Sequence, residues 1–144
     1  FEMNCFICYE NKSLPEFCMM TVVYWDIENV SIHNLERIME RIRSIGSGTK
    51  KYVVYSKIKE ARKEALLDNG WTLIDTGEIS RNSADKKIKD MIDGILEDEC
   101  ILPDKIILIT EDKGFYKTVK KIKACGIEVE VICGIKNPEW VRRL

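Results

Sequence analysis

The sequence predicts an α/β fold, a three-layer α/β/α domain built on a five-stranded, mainly parallel sheet. Short runs of β-branched and aromatic residues recur along the chain, and stretches with apolar residues at i, i+3, i+4 and i+7 separate them. Gly46, Gly70 and Gly126 stand just past three of those helical stretches, where helices stop. Strands alternating with helices indicate a parallel sheet covered on both faces.

The elements follow in order. Residues 1–19 mix Cys, Asn, Pro15 and aromatics without a sustained period, so an irregular arm is expected there, followed by one domain over 20–144. Residues 20–26 form the first strand, apolar without helical spacing and so buried on both faces. Ile32, Leu35, Ile38, Met39, Ile42 and Ile45 mark the first helix, with Ser31 as candidate N-cap. A strand at 51–56 and a helix through Ile58, Ala61, Ala65 and Leu66 come next. A third strand at 71–75 and a polar loop at 76–83 follow. Ile88, Met91, Ile92, Ile95 and Leu96 stripe a helix over 84–99. Residues 105–110 are the most β-like run. Phe115, Val119 and Ile122 mark the fourth helix, 127–133 the fifth strand, and Asn137-Pro138-Glu139 the cap of a short last helix holding Trp140.

Composition narrows the class. At 144 residues the chain can bury a core without staples, and 45% hydrophobic with 33% charged residues is ordinary for a soluble globular protein. No apolar run approaches membrane-spanning length, and residues 1–19 lack a signal-peptide layout, so an intracellular, cytoplasmic location is expected. The chain opens on Phe1, which leaves a fragment of a longer protein open. A net charge of −1 argues against nucleic-acid binding by overall charge, but not by a local basic patch. Cys100, Cys125 and Cys133 read as small buried hydrophobes. Cys5, Cys8 and Cys18 are spaced like half a zinc site, but the fourth ligand is missing locally and zinc is not expected.

The candidate chemistry is acidic. Asp26 ends the first strand, where open α/β sheets place their ligands; the bland reading is a strand-end cap. Glu111 and Asp112 follow the hydroxyl of Thr110 after the fourth strand, and Asp85 opens the helix after the third. At about 100° per residue, Asp85 lies only about 60° from Ile88 and projects over the sheet, whereas Asp90 faces solvent and Asp93 is intermediate. Right-handed crossovers bring these strand ends to one rim. Clustered carboxylates repel unless a cation holds them, and oxygen-only ligands favour Mg²⁺ or Mn²⁺ over zinc. Such a site suits phosphodiester hydrolysis.

Tyr-Trp-Asp-Ile-Glu-Asn-Val (24–30), Asn-Ser-Ala-Asp-Lys-Lys-Ile (82–88) and Ile-Leu-Ile-Thr-Glu-Asp-Lys-Gly-Phe (107–115) resemble, in order, the three motifs of NYN-type PIN-like ribonucleases. The resemblance covers about residues 20–134. It implies a PIN-like (NYN) sheet and metal-dependent cleavage of RNA; endonucleolytic cleavage of single-stranded or loop RNA is the leading reading, with exonucleolytic cleavage left open. It maps the metal-ligand and catalytic acids onto Asp26, Asp85 and Asp112, and an orienting Asn onto Asn29. Two departures stand out. The motif's second strand-end Asp is Gly114 here, with Glu111 in place of a small residue, and a further helix acid falls on Met91. Fewer acids hold less positive charge, which leaves one or two metals open and casts Glu28 and Glu111 as candidate compensators.

Arg81, Lys86, Lys87 and Lys113 are the candidate phosphate contacts. Lys86 and Lys87 sit in a first helical turn that prefers anions, which hints at function; their plain alternative is pairing with Glu78 or Asp90. Trp25 and Tyr24 are better read as core than as base-stacking platforms. Three readings compete: the ribonuclease, a weak or inactive PIN-like module that binds RNA or protein, and a nucleotide or phosphoacceptor domain. The last lacks a glycine-rich loop after the first strand, and Asp75 is a poor phosphoacceptor. A homodimer is left open.

Overall fold

The computed structural model describes residues 20–46, 48–77, 80 and 82–144. The expected arm, Cys5, Cys8, Cys18, Glu78 and Arg81 lie outside the described residues. Five strands form one all-parallel sheet: β1 (Thr21–Asp26), β2 (Thr49–Tyr55), β3 (Thr72–Asp75), β4 (Lys105–Ile109) and β5 (Glu128–Ile132), in the order β3-β2-β1-β4-β5. The order reverses direction at β1, so the strand ends of β1 and β4 flank a switch point, where such sheets open a crevice.

The crossover helices are α1 (Leu35–Ile45), α2 (Glu60–Asp68), α3 (Ser83–Glu97) and α4 (Tyr116–Ala124), with α5 (Glu139–Arg142) last. The alternation of β1 explains the two cores. Val23 and Trp25 join Ile38, Met39 and Ile42 of α1, Leu66 of α2 and Trp71 on one face. Val22 and Tyr24 join Ala84, Ile88 and Ile92 of α3, Val119 and Ile122 of α4 and Trp140 on the other. Asp26, next in the second series, therefore points to the α3–α4 face.

Several boundaries differ from expectation by a turn. Ser31 caps a short 3₁₀ turn, Ile32–Asn34, that leads into α1, and a 3₁₀ turn at Lys113–Phe115 leads into α4. Another, Glu99–Ile101, follows α3, its Asp98 cap accepting from Cys100 N–H. Pro138 rather than Asn137 is the N-cap of α5. Helix α2 buries only Leu66 fully; Ala61 is exposed. Of the described cysteines only Cys133 is buried, beside strand β5, where desolvation raises its thiol to about 11; Cys100 and Cys125 are exposed, because each sits at a helix end or turn rather than under one. Trp25 and Tyr24 are closed to solvent, at 0% and 1% exposure, so neither offers a face to a base.

Candidate active site

Asp26 is the buried acid of the rim, with 6% of its surface exposed. Its carboxyl is raised from 3.8 to about 7, first by desolvation, then by the charges of Asp85, Glu28 and Asp112, against one backbone hydrogen bond from Glu28. Asp85 belongs to the first turn of α3, where buried Ala84 and Ile88 fix the helix against the sheet and leave its carboxyl half-covered. Burial raises Asp85 as well; Lys89 opposes that rise and Asp112 adds to it. Three acids from three chain segments thus feel one another's charge. Asp90, as expected, is exposed.

Asp112 is held by a relay that crosses the switch point. Asn29 Oδ1 accepts from the Glu111 backbone N–H and, at 3.2 Å, from the Thr110 hydroxyl. Thr110 Oγ1 accepts from Asp112 N–H at 3.1 Å, and Asp112 Oδ1 caps Gly114 N–H at 2.9 Å. Asn29 and Thr110 therefore tie the loop after β1 to the loop after β4.

The two candidate compensators are turned elsewhere. Glu28 Oε2 accepts from Ser56 Oγ at 2.6 Å and from the N–H groups of Ser56 and Lys57, both at 3.2 Å, closing the loop after β2. Its charge still reaches Asp26, but its Oε2 is engaged by that loop. Glu111 Oε2 accepts from Gly134 N–H, and a Cβ at Gly134 would lie 2.6 Å from that oxygen, so glycine is what admits the contact. Trp140 Nε1 anchors the Glu111 carbonyl at 3.0 Å.

The cations divide similarly. Lys86, Lys87 and Lys113 are exposed and make no ion pair among the described residues. Lys121 pairs with Asp93 at 2.8 Å, and Lys123 reaches the Leu144 carbonyl. Asp75 Oδ1 accepts from Gly77 N–H at 2.9 Å and so caps the turn after β3. Sequence reasoning missed Lys89, although its i+4 spacing from Asp85 was the available signal. It also missed Lys57 and Arg62, which with Ile27, Glu28 and Asn29 help line a cleft of about 360 Å³; that meeting is tertiary and has no local pattern.

The family-model comparison matches the NYN domain over residues 20–141, most of the chain. The chain belongs to the NYN domain family. This is a PIN-like ribonuclease family, and the five-stranded parallel sheet with helices on both sides fits that fold. A search of curated proteins found no match. NYN domains act on RNA, and nucleases of this kind usually use divalent metals.

The residues can be tested against such an ion. Asp85 Oδ1 is buried without a hydrogen bond: Lys89 Nζ lies 3.2 Å away, but not in bonding geometry. A buried anionic oxygen with an ion pair but no hydrogen bond, near a second buried carboxyl, fits a hard cation in donor chemistry. Among the described residues, however, no group of three or more His, Cys, Asp or Glu side chains is gathered closely enough to hold a metal as it stands. Among the described residues, no helix is long and apolar enough to cross a membrane.

Proposed function

We propose that this NYN domain is a metal-dependent endoribonuclease, hydrolysing single-stranded or loop RNA at Asp26, Asp85 and Asp112 with Mg²⁺ or Mn²⁺. The observation that carries the reading is Asp26. A fold that keeps a carboxyl buried beside two others, at a cost in stability, has the arrangement expected of a cation site. When bound, the metal supplies charge neutralisation on the phosphate and activation of the attacking water. Asp26, in its ionised form, would hold the ion together with Asp85 and Asp112. Asn29 and Thr110 fix the approach of Asp112, and Glu28 and Glu111 brace the neighbouring loops. Lys86, Lys87 and Lys113 guide the RNA backbone toward the acids.

Replacing both Lys86 and Lys87 with Ala is expected to weaken RNA binding and flatten its salt dependence by up to about two units of slope. Filter binding over a salt series measures this, and metal binding should survive the change. The activity itself is tested by incubating the protein and unstructured RNA with Mn²⁺ or Mg²⁺. Cleavage that stops with EDTA is expected. Tight RNA binding without cleavage by either metal would overturn the nuclease reading. The second reading, a binding module without catalysis, would then replace it; Gly114 and the Oε2 atoms of Glu28 and Glu111, held by neighbouring loops, favour that outcome.

A further inference from the structure

Lys89 rises from α3 one turn after Asp85, with its ammonium 3.2 Å from Oδ1 and 3.3 Å from Oδ2. Phe115, fully buried, supports it from below: its ring centroid is 5.2 Å from Nζ. Gly114 lies alongside. A Cβ built there would meet Lys89 Nζ at 3.4 Å and Asp112 Oδ1 at 3.2 Å. The space next to Gly114 is thus flanked by one acid of the site and by this lysine. Among the described residues, Lys89 is the only Lys or Arg in an ion pair with any of the three acids.

We propose that Lys89 is the resident cation of the acidic site, taking the place of a second divalent ion. The inference rests on the metal reading given above. Asp26, Asp85 and Asp112 bring three negative charges when ionised, and Lys89 returns one. Among the three acids, the two charges that remain match a single divalent cation, while the Glu28 carboxylate is held by Ser56 and the Lys57 N–H. The ammonium also competes for Asp85, so an incoming ion must displace it or share the carboxylate. A carboxylate introduced at 114 would meet Lys89 at once, and so would be neutralised rather than freed for metal binding.

Mn²⁺ titration by calorimetry tests this without relying on cleavage. Lys89 is one-third exposed, so its replacement should leave the fold intact, and Lys89→Gln duplicates Lys89→Met should one of them misfold. Lys89→Met is expected to bind Mn²⁺ about tenfold more tightly than wild type, whereas Lys89→Arg should stay close to wild type. The double variant Lys89→Met with Gly114→Asp is expected to take up a second Mn²⁺ per chain. Equal or weaker Mn²⁺ binding by Lys89→Met, with wild type binding normally, overturns the proposal alone. A single Mn²⁺ in the double variant overturns the assignment of Lys89 as a stand-in for the second ion. Absence of Mn²⁺ binding in every protein overturns the metal reading, and the proposal with it.

Discussion

Asp26→Asn is expected to lower metal-dependent RNA cleavage by roughly 10²–10⁴-fold while making the metal-free protein more stable at pH 8. The two effects share one cause. The Asp26 carboxyl is raised from 3.8 to about 7 in the fold, so between those values the folded protein keeps a proton that the unfolded chain has lost. Stability of the metal-free protein therefore falls as pH rises from about 4, and the loss is largely complete by about pH 8. A shift of this size corresponds to about 4 kcal/mol. Asn cannot ionise, so the variant should escape this penalty at pH 8 and gain nothing near pH 3, where both carboxyl forms are protonated. Urea unfolding in EDTA at the two pH values reads the difference. A wild type equally stable at pH 3 and pH 8, with no gain from Asn, would show that Asp26 is not strained.

Trp25→Ala should cost about 3–5 kcal/mol, the largest loss of stability expected from a single side chain. Trp25 is fully buried and packs edge-on against Trp71, with ring centroids 5.1 Å apart. Its Nε1 donates to the Val30 carbonyl at 2.7 Å, which closes the loop carrying Glu28 and Asn29. Trp25→Phe keeps most of the packing but leaves that carbonyl without its donor, for about 1–3 kcal/mol. Urea midpoints should therefore rank wild type, Phe and Ala in that order. Equal midpoints for Phe and wild type would deny the hydrogen bond its role in the loop.

What could be read from the chain followed from periodicity. The helical wheel sends Asp85 inward and Asp90 out, which depends only on local geometry. The alternation of β1 sends Asp26 to one face of the sheet, but that α3 covers this face is a tertiary outcome. The fates of Glu28 and Glu111 were not legible, because they depend on which neighbouring loop offers free N–H groups: those of Ser56 and Lys57 for one, Gly134 for the other. The same holds for Cys100 and Cys125, whose apolar neighbours in sequence do not cover them in space. Lys89 lay between these cases. Its pairing with Asp85 is a four-residue rule, but its place beside Gly114 and Phe115 needs the packing of α3 against the loop after β4.

On the proposed function, the rim between β1 and β4 holds a divalent cation on Asp26. An anomalous difference map from crystals of the wild-type protein saturated with Mn²⁺ tests it most directly. The expected peak lies against the Asp26 carboxylate and at least one of Asp85 and Asp112. A well-ordered Asp26 pocket with no peak at saturating Mn²⁺ would contradict the claim.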